Sequence, residues 1–250
     1  CADYGVKLLF SAPTAFRAIR KEDPDAKLLQ QYDLSKLERL YLAGERLDPP
    51  TYEWLKEKTK LPILDHWWQT ETGWAIACNP VGEALMPVKP GSATMPTVGF
   101  DVQVLNERGL PAEPNEQGSV VVKLPMPPGC LPTVWNDTAR FKGSYLDIFD
   151  GYYLSGDGGY IDEDGYVYVM TRTDDIINVA GHRLSTGSIE EVIAAHPDIA
   201  ECAVIGVPCE LKGEIPVALL VLNNHVEQSN EEIQRSTVQM VRDNLGAVYS

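Results

Sequence analysis

The sequence predicts an α/β fold with a largely parallel sheet, continued by a β portion and a small α+β unit, on three observations. Short apolar runs alternate with amphipathic, charged segments over the first 95 or so residues. Strand-like runs separated by turn sequences follow, from about Pro96 to Met170. After Arg172-Thr173-Asp174-Asp175, helix and strand signals alternate again. Short apolar strands separated by helices indicate α/β layering.

The elements follow in order. Leu8 to Phe10 is expected as a short buried strand that turns at Ser11-Ala12-Pro13-Thr14 into a helix over Ala15 to Lys21. Leu37 to Ala43 is a second buried strand closed by Gly44, Tyr52 to Lys60 a charged surface helix, and Leu61 to Leu64 a third strand. In such sheets ligands collect beyond the carboxyl ends of the strands, which points to Gly44-Glu45-Arg46 and to His66 through Gly73. In the β portion, Val98 to Leu105, Gly118 to Leu124, Tyr152 to Ser155 and Tyr166 to Thr171 are strand-like. Asn106 to Gly109 and Asp162 to Gly165 are turns, and the proline-rich stretch Leu124 to Pro132 is a loop. The last portion carries a helix at Ser188 to Ala195 and strands at Ala203 to Val207 and Val217 to Leu222. Its second helix opens with Ser229 and Glu232 in capping-box spacing.

Charge and composition narrow the function. The chain has 21 Lys plus Arg against 36 Asp plus Glu, a net charge of −15, which disfavours nucleic acid and anionic membrane surfaces as partners. A small anion remains compatible where a few cations and helix N-termini meet it. The five cysteines are widely spread with no C-x-x-C pair, which argues against a disulfide framework or zinc site and suits a reducing compartment, cytoplasmic or the mitochondrial matrix of a eukaryote. No apolar run approaches the roughly 20 residues of a membrane span. The chain opens Cys-Ala-Asp-Tyr-Gly without an initiator Met or signal peptide, and both ends are expected to be cut from something longer.

The sharpest local signal is His66-Trp67-Trp68-Gln69-Thr70-Glu71-Thr72-Gly73, immediately after a buried strand. Here the chain resembles the acyl-adenylate-forming family, in its acetyl- and propionyl-CoA synthetase branch. Three further motifs in family order carry the same resemblance. Gly44-Glu45-Arg46-Leu47 is similar to the adenine-contacting loop, and Tyr153-Leu154-Ser155-Gly156-Asp157 to the ribose-binding motif. Arg172-Thr173-Asp174-Asp175 with Asn178 through Leu184 is similar to the hinge and the opening of the mobile C-terminal domain. The resemblance implies a truncated adenylate-forming fold: residues 1–171 part of an N-terminal AMP-binding domain (1–95 α/β, 96–171 β), 172–175 a hinge, and 176–250 part of the C-terminal domain.

The resemblance also implies roles. Gly44, Glu45, Arg46, Asp65, Trp67, Gln69, Thr70, Asp157, Arg172 and Arg183 would contact the nucleotide. Asp157 would accept from both ribose hydroxyls, a bidentate geometry open to a carboxylate, with Arg172 adding a second ribose contact. Thr70 would offer its hydroxyl to the α-phosphate, and Glu71 is a hard-oxygen ligand for Mg²⁺ held by ATP phosphates. Trp68 would close the floor of the acyl pocket and Trp67 suits the core. Ala43 matches a pocket position where acetate-selective relatives carry a larger β-branched residue; the lost bulk leaves room for about one methylene, worth about 1–3 kcal/mol in discrimination, and favours propionate over acetate. Asp174 would be the hinge about which the C-terminal domain rotates, Gly181 would line the CoA channel, and Arg183 would face phosphate or CoA.

The implied reaction joins a short carboxylic acid, ATP and CoA into acyl-CoA with AMP and pyrophosphate. The family's phosphate-wrapping loop and the Lys near its C-terminus have no counterpart in these residues. Two alternatives stand beside this reading: a non-catalytic AMP-binding remnant, and an adenylation domain that loads a carrier-protein thiol. The double Trp speaks against the second. The sequence leaves the oligomeric state open.

Overall fold

The computed structural model describes residues 1–173, 175–180, 182–224 and 226–249, with only the backbone at Arg183. Three parallel strands, β1 (Leu8–Ser11), β2 (Arg39–Leu42) and β3 (Ile63–Asp65), form one sheet in that order. Leu8 stands opposite Arg39, and Leu40 opposite Ile63. Parallel neighbours need crossovers, and helices supply them. Helix α1 (Pro13–Glu22) begins at a proline after an extended Ala12, a position where the missing amide costs nothing. Helix α2 (Pro49–Thr59) follows Asp48, whose carboxylate caps the Thr51 amide at 2.9 Å.

Two expectations for this layer are corrected. Leu8 and Phe10 are 51% and 59% exposed, because β1 is the edge of the sheet and turns these side chains outward. The α2 segment is a surface helix only on its outer side: Thr51, Tyr52, Trp54 and Leu55 are buried, and Trp54 Nε1 donates to the Pro24 carbonyl at 2.7 Å.

A second, small sheet consists of β4 (Trp67–Trp68), β5 (Ala75–Cys78) and β6 (Met95–Pro96). The β portion is a four-stranded antiparallel sheet of β7 (Val102–Leu105), β8 (Gly118–Lys123), β9 (Tyr152–Ile161) and β10 (Val167–Arg172), in the order β10-β9-β8-β7. Its inner face, with Val104, Val120, Val122, Tyr153 and Val167, packs on Trp67, Ile76 and Ala77 of the small sheet. Between β8 and β9 lies α3 (Thr138–Tyr145), capped by Asp137. Neither the small sheet nor α3 is expected from the sequence.

Two irregularities in this sheet matter for the site. Val120 pairs with Asp157 while Val121 pairs with Leu154, so Ser155 and Gly156 bulge out of β9. Thr171 pairs with Gly158 while Val169 pairs with Gly159, so Met170 bulges out of β10. Such bulges re-aim side chains, and the one at Met170 sets Arg172 directly opposite Asp157. Gly156 adopts φ +74°, and a Cβ there would fall 2.7 Å from Arg172 Nη2; only glycine lets the guanidinium lie against the bulge.

The final unit contains β11 (Ile176–Val179), β12 (His182–Ser185), α4 (Thr186–Ala194), β13 (Ile199–Cys209), β14 (Gly213–Leu222) and α5 (Asn230–Leu245), its sheet ordered β12-β11-β14-β13. Ile189 and Ile193 of α4 and Val241 of α5 pack on Ile177, Val179 and Val204. The capping box is present: Ser229 Oγ accepts from the Glu232 amide, and Glu232 accepts from the Ser229 amide at 2.8 Å. The first turn of α4 sits directly on β10, where a Cβ on Gly187 would lie 1.8 Å from the Met170 carbonyl oxygen. Among the described residues no helix is long and apolar enough to cross a membrane.

Candidate nucleotide site

A cleft of about 580 Å³ opens beyond the carboxyl ends of β2 and β3, between Gly44-Glu45-Arg46, residues 65–69, the bulged ends of β9 and β10, and α4. Its volume falls in the range of small-molecule sites. The wall includes nine of the residues singled out above: Gly44, Glu45, Arg46, Asp65, Trp67, Trp68, Gln69, Asp157 and Arg172. They come from four separate stretches of chain, and the strand-end rule for α/β sheets explains why two of those stretches meet here.

Asp157 is the centre of the arrangement. It is 6% exposed, and its Oδ2 accepts from Trp67 Nε1 at 2.9 Å and Gln69 Nε2 at 2.7 Å. Its Oδ1 accepts from Arg172 Nη1 at 3.1 Å, and its amide donates to Ser155 Oγ at 3.0 Å. Burial raises the carboxyl above its ordinary value, against the opposing pull of Arg172, Trp67 and Gln69. Three of the roughly four lone-pair sites of a carboxylate are therefore in use. Accepting two ribose hydroxyls requires one donor to withdraw, and Arg172, whose side chain is 50% exposed, is the least confined of the three. Trp67 combines the two roles the sequence left open: it is buried in the core cluster and its indole N–H reaches the site.

The adenine-loop residues are held from α1. Glu45 accepts from the Thr14 amide and hydroxyl and from Arg17, whose Nη2 lies 2.5 Å from Glu45 Oε2 and whose Nη1 lies 3.1 Å from Asp48. Despite the cost of partial burial, these partners hold the Glu45 carboxyl below its ordinary value. Arg46 pairs with Glu191 of α4 at 3.0 Å, and Thr171 and Thr186 share a hydrogen bond of 2.9 Å. Asp65, at the floor, accepts from the Leu47 amide at 3.3 Å, while its Oδ1 has no partner. Burial pushes its carboxyl up to about 8, against the opposing pull of the Leu47 and His66 amides and Arg46.

Thr70 and Glu71 lie just outside the cleft wall, in a 3-10 turn that follows β4. That turn is closed by Gln69 and Thr72 capping each other. Glu71 Oε1 accepts from the Tyr145 hydroxyl at 2.9 Å. Trp68 is 44% exposed on the cleft side, whereas Ala43 is 4% exposed and does not line the cleft. Asp174, Gly181 and the side chain of Arg183 lie outside the described residues.

The sequence marked the run from His66 to Gly73 without giving His66 a role of its own, and it missed Glu190 and Tyr145. His66 and Glu190 line the cleft; His66 Nδ1 is bound to the Leu42 carbonyl at 2.9 Å, and burial lowers its pKa. The place of His66 inside the motif was a usable signal. Tyr145 stands 74 residues from Glu71 in a helix with no apolar stripe, and had none.

A cleft at the strand ends, built around a buried carboxylate and two arginines, is the form of a nucleotide-binding enzyme, and the family matches agree. Residues 1–127 match the AMP-binding enzyme family and residues 188–250 the AMP-binding enzyme C-terminal domain. The chain belongs to this family. An uncharacterized protein of Pseudomonas aeruginosa is 51% identical over 98% of this chain and 39% of its own length. The human acyl-CoA synthetase short-chain family member 3, mitochondrial, is 46% identical over 99% of this chain and 36% of its own. The propionate–CoA ligase of Escherichia coli is 47% identical over 87% of this chain and 35% of its own. The chain thus spans little more than a third of these relatives.

Among solved structures, an anthranilate CoA ligase in complex with anthranoyl-AMP superposes with a TM-score of 0.83 at 24% identity, covering 99% of this chain and 45% of its own. An amide bond synthetase from Marinactinospora thermotolerans gives 0.83 at 23% identity, covering 99% and 47%. These two show the fold, and with the family matches it is part of a large N-terminal AMP-binding domain followed by a C-terminal part.

Proposed function

We propose that the protein to which this chain belongs is an AMP-forming short-chain acyl-CoA synthetase, with propionate favoured over acetate. It condenses a short carboxylate with MgATP into an acyl-adenylate and pyrophosphate. CoA thiolate then attacks the adenylate carbonyl, releasing AMP and the acyl-CoA. The observation that carries the reading is the convergence of Trp67, Gln69 and Arg172 on the buried Asp157 at the cleft wall. The likeness to relatives named for short-chain acyl-CoA synthesis and propionate ligation supports the substrate class.

The roles follow from the chemistry of the groups. Asp157 accepts ribose hydroxyls once Arg172 swings aside, and Arg172 then serves the ribose. Asp65 lines the cleft beside Gly44, Glu45 and Arg46, where it would contact the base. Gly44, Glu45 and Arg46 form the loop against adenine, and Thr70 donates to the α-phosphate. Trp68 limits acyl length by bulk, and the small Ala43, next to Gly44 in the sequence, leaves room for about one methylene more. Asp174 is the hinge between residues 1–171 and 176–250, and Gly181 and Arg183 serve CoA.

The cleft wall sets Glu45, Asp157, Asp175 and Glu190 against Arg46 and Arg172, so a bare triphosphate would be repelled. A divalent cation resolves this. Among the described residues no group of three or more His, Cys, Asp or Glu side chains is placed to hold a metal by itself. Mg²⁺ is commonly held by one or two carboxylates together with substrate phosphates, and Glu71 beside Thr70 fits that pattern. When bound, the cation neutralises phosphate charge. The isolated thiol needs little help from a base, since a few per cent is thiolate near neutrality. A cytoplasmic or mitochondrial-matrix location is compatible with free cysteines.

The test is pyrophosphate exchange into ATP by the intact protein with acids of two to four carbons. Exchange dependent on propionate is expected. No exchange with any of these acids would overturn the proposal.

A further inference from the structure

We propose that Tyr145 of α3 is a positioning residue for the metal-facing carboxylate, tying Glu71 to Gln69 and Asp157 so that the phosphate and ribose ends of the nucleotide are held in register. The inference rests on the assignment of Glu71 to Mg²⁺. The Tyr145 hydroxyl donates to Glu71 Oε1 at 2.9 Å, which fixes the carboxylate while leaving Oε2 for a cation. Its ring lies flat on Tyr153, with centroids 5.5 Å apart and planes 5° apart. The Tyr153 hydroxyl donates to Gln69 Oε1 at 2.9 Å, and Gln69 Nε2 reaches Asp157 Oδ2 at 2.7 Å. One unbroken chain of contacts thus runs from the metal-facing carboxylate to the ribose carboxylate.

The chemistry suits the task. A phenol holds a carboxylate without bringing a positive charge that would compete with the cation, as Lys or Arg would. Helix α3 has no buried residue of its own, so its seat against the sheet depends on side chains such as Tyr145 and Leu146, which pack on the core cluster. Groups that orient a metal ligand typically alter metal affinity about 10- to 100-fold when removed.

The experiment uses the intact protein with ATP and no carboxylate, so that nothing turns over, and Mn²⁺ as probe, its free concentration read by electron paramagnetic resonance. AMP affinity, measured without metal, is the second readout. Y145F keeps the stacked ring and removes one oxygen; E71Q is the reference. Expected are a Mn²⁺ dissociation constant raised about tenfold in Y145F and at least as much in E71Q, with AMP affinity unchanged within twofold in Y145F. Unchanged Mn²⁺ binding in Y145F beside weakened binding in E71Q would overturn the role of Tyr145 alone. Equal loss of AMP and Mn²⁺ affinity in Y145F would also overturn it, as general structural damage. Unchanged Mn²⁺ binding in E71Q would remove the metal assignment itself, and the proposal with it.

Discussion

Replacing Asp65 by Asn is expected to flatten part of the pH dependence of stability. Asp65 is buried at the end of β3, with one oxygen on the Leu47 amide and the other unpartnered. Burial moves its carboxyl from 3.8 to about 8. The folded state therefore binds this proton more tightly than the unfolded chain does. The corresponding stability is fully present below about pH 4 and is lost as pH rises towards 8. Between pH 5 and pH 8 the loss is about 4 kcal/mol at most, at about 1.36 kcal/mol per pH unit, or on the order of 10 °C in melting temperature for a chain of this size. Asn has the shape of the protonated acid and never ionises. Thermal unfolding of both proteins across this range should show the melting-temperature gap of D65N over wild type widening by up to that amount. A gap that stays constant from pH 5 to pH 8 would refute the reasoning.

Other perturbations probe the neighbouring groups. W67F removes the indole donor to Asp157 and part of a packed core side chain. Urea unfolding should show a loss of about 2–4 kcal/mol, and a loss below 1 kcal/mol would mean that the Asp157 contact matters little. W68G, at a half-exposed position on the cleft wall, should shift acid preference towards longer chains, as read from rates across a series of acids; an unchanged profile would take Trp68 out of the acyl pocket. D174P should leave adenylate formation largely intact while slowing thioester formation in single-turnover assays, and equal loss of both steps would count against a hinge at that residue.

Much of the fold was legible because its signals are local. The run Leu37 to Ala43 holds β2 (Arg39–Leu42), the Asp162–Gly165 turn closes with its expected hydrogen bond, and Ser229 and Glu232 cap α5 reciprocally. What stayed hidden depends on tertiary context. Helix α3 has no fully buried residue and begins at a lone Asp137 cap, so it leaves little apolar period to read. The exposure of Leu8 and Phe10 follows from the edge position of β1, which composition does not encode. Strands β11 and β12 lie within the segment marked by its motif, which masks a simple hairpin pairing, Ile176 with Ser185 and Val179 with His182.

The candidate site was legible to the same degree and for related reasons. The 15-residue spacing of Asp157 and Arg172 has a physical origin in the β9–β10 hairpin, whose bulge at Met170 brings them face to face. Their resemblance to a ribose motif was visible in the sequence. The prior occupation of Asp157 by three donors was not, because two of those donors lie some 90 residues away. Nor could the sequence show that, among the described residues, Asp65 Oδ1 is buried without a partner, since tertiary packing sets that burial.

The central claim is that the cleft around Asp157 receives the ribose of an adenylate. Calorimetric titration of wild type and D157N with AMP tests it most directly. Asn keeps an acceptor for Trp67 and Gln69 but loses the charge that strengthens hydrogen bonds to ribose hydroxyls. One AMP per wild-type chain and an affinity at least about tenfold lower in D157N are expected. Equal affinity in the two proteins would contradict the account.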